Sequence, residues 1–132
     1  MTGGFVERSI ELFACLQFLV IGLSHMLQPR AWVAFFVVLR EKGLAGVFLN
    51  GFLSLLFGSV IVSFHNVWSG LPMVLTLVGL AQLVKAFVNF VAPQVAMRGL
   101  QRVALERAWE FQVAGALSLG LSGLLAYLVA RS

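Results

Sequence analysis

The chain has 132 residues, of which 61% are hydrophobic and only 11% are charged. Soluble domains are typically about 45–50% apolar and about 25% charged, so this composition excludes an ordinary soluble domain and indicates an integral membrane protein. The net charge of +4 comes from basic residues in short gaps between apolar runs, a pattern that orients membrane helices and does not predict binding to nucleic acid.

Four apolar runs predict four transmembrane helices. They cover residues 10–27, 45–64, 71–90 and 109–129. Each run is close to the roughly 20 residues that cross a bilayer, and only a helix satisfies every backbone group within one such segment. The first run lacks the basic region and cleavage site of a signal peptide, so we expect it to remain as a membrane anchor.

The connections between these runs differ in length. Residues 65–72 form a short hairpin with Gly70 and Pro72 as turn formers. Pro29 and Pro93 stop the first and third helices, and we expect the segments that follow, 30–42 and 94–107, to be amphipathic helices in the membrane interface. Both are rich in basic residues, so the positive-inside rule places them in the cytoplasm and places the hairpin and both termini outside. The basic residues are Arg30, Arg40, Lys42, Arg98, Arg102 and Arg107.

The sequence aligns with itself without gaps at an offset of 64 residues. The aligned pairs include Pro29 with Pro93, Gly51 with Gly115, and Ser54 with Ser118. The offset predicts one transmembrane domain, 1–132, built from two repeats at about 1–64 and 65–132. Each repeat would contain a transmembrane helix, an interfacial helix and a second transmembrane helix, and the pseudo-twofold axis would lie along the membrane normal. Chance matching of apolar residues is the alternative.

Small and polar residues recur at every fourth position of the second and fourth runs. They are Gly46, Asn50, Ser54 and Gly58 in the second run, and Ala114, Ser118, Ser122 and Ala126 in the fourth, with Gly51 and Gly115 beside them. This spacing places each set on one helix face, where small residues allow close packing. We expect tight packing between these two helices or between two protomers. A polar path lined by Asn50, Ser54, Ser118 and Ser122 is the alternative.

The third run carries Gln82, Lys85 and Asn89 on one helix face. A lysine within a membrane needs a partner, a water-filled cavity or a route to the interface. We expect Lys85 to form a structural pair with Glu110 or Glu106. A role in substrate binding or proton transfer is the alternative.

The first run places Glu11 near its outer end and His25 near its inner end. Glu11 is expected to meet His65 in a pair whose charge could respond to pH. Two histidines at opposite faces do not form a metal site, and the lone Cys15 indicates a packing residue. No catalytic motif is present, so the sequence predicts no enzyme, no cofactor and no metal.

The turn after the second helix contains His65, Asn66 and Trp68, and the third helix carries Gly79 before Lys85. In these residues the sequence resembles a group of small four-helix proteins of the bacterial inner membrane that have no established activity. The resemblance covers most of the chain in layout and implies a multi-pass protein of the bacterial plasma membrane. Taken alone, the turn predicts Trp68 at the interface, with His65 and Asn66 capping the end of the second helix.

These patterns predict an all-α fold, a four-helix transmembrane bundle with two interfacial helices. The function we expect is that of a non-enzymatic oligomeric or accessory subunit, with the lipid bilayer and itself or other membrane subunits as partners. The alternative is a homo-oligomeric transporter or channel for a small solute or ion, with a path near Asn50, Ser54, Gln82 and Lys85. A membrane-bound enzyme is a third, weaker hypothesis.

Overall fold

The structure, a computed structural model, describes residues 4–131 and is all-α within them. Those residues contain six α-helices and one 3-10 turn, and no strand. The helices are α1 (Phe5–Leu27), α2 (Pro29–Glu41), α3 (Leu44–Phe64), α4 (Met73–Val91), α5 (Pro93–Gln101) and α6 (Trp109–Arg131). The predicted order of long and short helices is confirmed.

Four helices, α1, α3, α4 and α6, are long and apolar enough to cross a membrane. They extend beyond the predicted runs mainly at α1, which begins at Phe5 rather than at position 10. The backbone N–H of Gly4 donates to the side chain of Glu7, so the first turn of α1 has a polar cap that apolar runs do not reveal.

Pro29 and Pro93 follow the ends of α1 and α4, as predicted, and each also begins the short helix that comes next. Pro29 and Pro93 occupy the first helical turn, where the missing N–H costs nothing. The residues before them share one backbone conformation, φ −130° and ψ 50° at Gln28 and φ −131° and ψ 63° at Ala92. Gly43 has a φ of +63°, a left-handed conformation that lets α2 turn back into α3.

The second short helix ends earlier than predicted. It stops at Gln101, and a 3-10 turn at Leu105–Arg107 leads into α6. Carbonyl groups released there accept hydrogen bonds from arginines: Arg40 donates to the carbonyl of Val103 at 3.0 Å, and Arg107 donates to the carbonyl of Arg102 at 3.0 Å. These bonds satisfy backbone groups that a continuous helix would have paired internally.

The long helices pack in two pairs, α1 with α6 and α3 with α4. A Cβ atom at Gly58 on α3 would lie 2.8 Å from the carbonyl oxygen of Gly79 on α4. A Cβ atom at Gly115 on α6 would lie 2.8 Å from the carbonyl oxygen of Gly22 on α1. The predicted packing of the two small faces against each other is therefore wrong. Each face packs against a helix that contributes its own glycine. The α3 face is buried within the chain, whereas on the α6 face Gly115 and Ser122 are buried and Ala114 and Ala126 are exposed.

Contacts in one pair recur in the other, 64 positions away. Gly51 packs against Asn89, with a distance of 2.9 Å between its Cβ position and the Asn89 Cβ, and Gly115 packs against His25 at the same distance. The contact of Gly58 with Gly79 corresponds to that of Ser122 with Cys15, where the serine hydroxyl donates to the cysteine carbonyl at 2.9 Å. Each pair therefore combines one helix from each half of the chain.

Two apolar clusters join these pairs. At the hairpin end, Ala14, Ile61, Leu75 and Leu125 bring all four long helices into one core. At the other end, a smaller cluster of Leu39, Val47 and Leu100 joins α2, α3 and α5. The long helices thus meet fully at the hairpin end, and the short helices occupy the opposite end.

The close approach of α3 and α4 predicts a steric penalty at Gly58. Gly58→Ala should lower the free energy of unfolding by about 1–3 kcal/mol, because its methyl group would meet backbone atoms of α4. Gly120→Ala is the matched control, since no atom lies within 4 Å of its Cβ position, and it should raise stability by up to about 1 kcal/mol. Denaturant titration in detergent micelles measures both values. Equal effects of the two substitutions would contradict tight α3–α4 packing.

Candidate functional site

A buried polar cluster lies at the hairpin end and consists of Glu11, His65 and Thr76. Glu11 comes from the start of α1, His65 follows the last residue of α3, and Thr76 lies in the first turn of α4. His65 Nε2 lies 2.8 Å from Glu11 Oε2, and His65 Nδ1 lies 3.1 Å from Thr76 Oγ1. The imidazole is completely buried and Glu11 is 4% exposed. The predicted contact between Glu11 and His65 is confirmed.

The hydrogen bonds define which groups in this hairpin cluster donate protons. The Thr76 hydroxyl lies 3.0 Å from the carbonyl oxygen of His65 and 2.9 Å from that of Val67. Its single proton is directed to these carbonyls, so His65 Nδ1 is the donor towards Thr76. His65 Nε2 then shares one proton with Glu11, either as imidazolium with carboxylate or as imidazole with carboxylic acid. Both forms of the pair are neutral, which makes their burial tolerable. The cluster can therefore hold a proton at a defined place without acquiring net charge.

The end of α3 is capped differently from the prediction. Thr76, which the sequence analysis did not single out, bonds the main chain of His65 and Val67. Asn66 is exposed and accepts a hydrogen bond from the indole N–H of Trp68, so its predicted capping role is wrong. A lone hydroxyl in an apolar run is a weak sequence signal, because such hydroxyls commonly bond the backbone of their own helix.

A second polar region lies at the opposite end, in an open pocket of about 400 Å³. Its polar lining consists of Asn50, Lys85 and Asn89, and its walls are otherwise mainly apolar, with Phe36 and Phe111 among them. The pocket is formed where α3 and α4 face α2, α5 and the start of α6. We call it the lysine pocket.

Lys85 forms no ion pair with any residue between 4 and 131. The predicted pairing with Glu110 or Glu106 is wrong, because Glu110 Oε2 instead lies 3.4 Å from Arg102 Nη2 at the surface. Lys85 lines the pocket and is itself exposed, as is the Arg102–Glu110 pair. A cation without a counter-ion thus faces a mainly apolar cavity.

The two asparagines of the lysine pocket differ in their bonding. Asn89 Nδ2 donates to the carbonyl of Val47 at 2.9 Å and so ties α4 to α3. The Asn50 side chain has no hydrogen-bond partner within the described range, although the residue is only 8% exposed. Asn50 therefore presents an unused amide to the pocket, next to the unpaired charge of Lys85.

The other residues suggested by sequence do not join this pocket. Gln82 packs with its Cβ 3.0 Å from the Cβ position of Gly58, and Ser54 is buried on the same face of α3. His25 stacks on Trp32 with ring centroids 4.2 Å apart and bonds the carbonyl of Ile21. Ser118 and Ser122 contact α1, and Gly46 packs against the end of α2. These residues hold helices together, and the predicted polar path through Ser54, Ser118 and Ser122 does not form.

A neighbouring pocket of about 230 Å³ adjoins the lysine pocket. The two share Phe36, Gly99, Val103 and Phe111. The neighbouring pocket is lined also by His25, Arg102, Arg107, and Glu110. Charged side chains, mostly basic, thus lie beside the apolar cavity that contains Lys85.

Metal binding finds no support in the part of the chain that the structure describes, where no group of three or more His, Cys, Asp or Glu side chains converges. Comparison with known proteins found no matching family model, no matching curated protein and no matching solved structure. The hairpin cluster and the lysine pocket are therefore the features that bear on function.

The burial of the Glu11–His65 pair predicts strong coupling between its members. Glu11→Leu should lower the free energy of unfolding by about 3–5 kcal/mol, because it leaves the buried imidazole without its partner. The double variant Glu11→Leu/His65→Leu should recover most of this loss, because no polar group is then stranded. Unfolding in detergent of both single variants and the double variant gives the coupling energy. Losses that simply add would show that the two side chains do not interact.

Proposed function

We propose that the chain is an integral protein of the bacterial inner membrane that carries a small solute through a site at Lys85. The observation that supports this most directly is the unpaired Lys85, which lines an open pocket beside the unpaired amide of Asn50. A charged side chain is expensive within a bilayer, and one without a protein partner marks a site for a substrate or an ion.

The proposed arrangement is a four-helix bundle in which α1, α3, α4 and α6 cross the membrane. The two connections that contain α2 and α5 carry six of the nine lysines and arginines, so they lie on the cytoplasmic side and the hairpin and termini lie outside. The two halves, 1–64 and 65–132, are proposed repeats related by a pseudo-twofold axis along the membrane normal. The recurring contacts between α1–α6 and α3–α4 support this relation.

The difference between the two ends of the molecule favours a carrier over a continuous channel. At the hairpin end, the Glu11–His65–Thr76 cluster and the apolar core around Ile61 and Leu75 close the space between the helices. At the other end, the lysine pocket is open. A binding site that is closed on one side and open on the other is one state of an alternating-access cycle. Breaking the hairpin cluster would then favour the opposite state.

Self-association, or assembly with other membrane subunits, remains the second candidate. The small face of α3 is buried inside the chain and the first small face of α6 is partly buried, and α6 has another small face at Ala116, Gly120 and Gly123. No atom lies within 4 Å of the Cβ positions of Gly120 and Gly123. Small residues at this spacing allow a second helix to approach closely.

Native mass spectrometry of gently extracted protein tests the second candidate. A homo-oligomer that Gly120→Leu converts to monomer would place the interface on the small face of α6, because the added side chain prevents close approach. Ala126→Leu, elsewhere on α6, serves as the control. A monomeric wild-type mass would exclude a stable complex, and co-purifying subunits would favour the accessory role.

Thiol labelling tests the carrier without knowledge of its solute. In a Cys15→Ala background, Val88→Cys places a thiol in the lysine pocket, and a membrane-impermeant maleimide should modify it from the cytoplasmic face. Leu117→Cys, on the exposed apolar surface of α6, should stay unmodified because a thiol in lipid does not ionise. Adding Glu11→Gln should raise modification of Val88→Cys from the outer face. A Val88→Cys thiol that no reagent reaches from either face would refute the carrier.

A further inference from the structure

The two halves of the chain differ at their equivalent pockets. The lysine pocket includes Val88, Val95, Ala96 and Gly99, and subtracting 64 from these numbers gives Ser24, Ala31, Trp32 and Phe35. Those four residues line a separate and smaller pocket of about 270 Å³ on the first half. The offset that relates the helix contacts thus also relates two pockets.

Two large side chains line the first-half pocket at positions where the lysine pocket has an alanine and a glycine. Trp32 stands where the second half has Ala96, and Phe35 stands where it has Gly99. The Trp32 ring stacks on His25 and its indole N–H donates to Ser24 Oγ at 2.8 Å, so Trp32 is held in place. No atom lies within 4 Å of the Cβ position of Gly99. The lysine pocket is therefore open at the positions that Trp32 and Phe35 fill in the first-half pocket.

The two pockets also differ in polarity. Lys85 corresponds to Ile21, and Asn50 corresponds to Ala114. The larger pocket is thus also the one with a cation and an unused amide, and both features are absent from its counterpart. Of these two pockets, only the lysine pocket combines space with unpaired polar groups, and packing requirements shared by both pockets do not explain this difference.

We propose that the lysine pocket binds an anionic amphiphile, a monocarboxylate with an extended apolar tail. The carboxylate would pair with Lys85 and accept a hydrogen bond from Asn50, and the tail would lie against the aromatic rings of Phe36 and Phe111. One lysine matches one negative charge, whereas a phosphate monoester carries about −1.5 to −2 and would remain partly unpaired. The apolar walls exclude a strongly hydrated solute, because its lost hydration would not be replaced.

The charges in the adjoining pocket are compatible with an anion. Arg102 and Arg107 line that pocket, together with His25 and the single carboxylate of Glu110. Glu110 is already paired with Arg102, so the net charge of the adjoining pocket is positive. Positive potential in a cleft raises the local concentration of anions. This inference rests on the proposed carrier function and specifies its substrate class.

Direct binding of laurate tests the proposal. The full chain in phosphatidylcholine nanodiscs is titrated with radiolabelled laurate, and protein-free nanodiscs give the background. We expect saturable binding of one laurate per chain and at least tenfold weaker binding of dodecanol, which has the same tail without the charge. Equal binding of laurate and dodecanol would overturn the assignment to an anion.

Variants that copy the first half locate the site. Lys85→Ile should weaken laurate binding at least tenfold, Lys85→Arg should restore it to within about threefold because it keeps the charge, and Gly99→Phe should abolish it by filling the pocket. Lys42→Ile, at the end of α2 and outside the pocket, should bind as the wild type does. Circular dichroism confirms that each variant is helical. Unchanged binding by both Lys85→Ile and Gly99→Phe would place the laurate elsewhere and overturn the proposal.

An anionic bilayer lipid could supply the same negative charge as a fatty carboxylate. The composition of the nanodisc distinguishes these two sources. If laurate does not bind in phosphatidylcholine nanodiscs, but labelled phosphatidylglycerol binds the wild-type chain and not Lys85→Ile, the proposal fails and the pocket holds a membrane lipid. Failure of laurate binding while Val88→Cys is still labelled from the cytoplasmic face would remove the substrate class and leave the carrier standing. Failure of both laurate binding and Val88→Cys labelling would overturn both the substrate class and the carrier function.

Discussion

The close approach of helix backbones at two glycine contacts determines how this molecule is arranged. Gly58 meets Gly79 between α3 and α4, and Gly115 meets Gly22 between α6 and α1. Lipid tails are as apolar as leucine, so membrane helices associate through such packing and through hydrogen bonds and not through burial of apolar area. Because each pair joins helices from different halves of the chain, the halves are interlocked. The remaining space between the pairs is available for polar groups.

Polar groups occupy that space in two contrasting ways. At the hairpin end, Glu11 and His65 neutralise each other and Thr76 completes their hydrogen bonding, so the cluster is buried at little electrostatic cost. At the opposite end, Lys85 and Asn50 have no partners and face a cavity. The first arrangement is suited to holding helices together, and the second is suited to receiving a ligand. This contrast links the fold to the proposed direction of opening.

The asymmetry between the halves adds information that neither pocket gives alone. Equivalent contacts show what the packing of this fold requires, because they persist in both halves. The differences are confined to positions that packing leaves free, such as Ala96 and Gly99 opposite Trp32 and Phe35. One half therefore serves as an internal reference for the other, and the departures concentrate around Lys85.

The sequence by itself determined the elements of this protein and several local features. Apolar run lengths identified the four long helices, and the prolines at 29 and 93 marked the ends of the first and third of them. The shared side of Glu11 and His65 identified these two residues as partners. Only the tertiary structure decided which helices pair and that Lys85 lacks a counter-ion. Helical periodicity shows which residues share a face, but it does not say which neighbour covers that face. An ion pair depends on distances between helices far apart in sequence, and the small residue that completes a close contact, such as Gly79, stands out only when its partner is known.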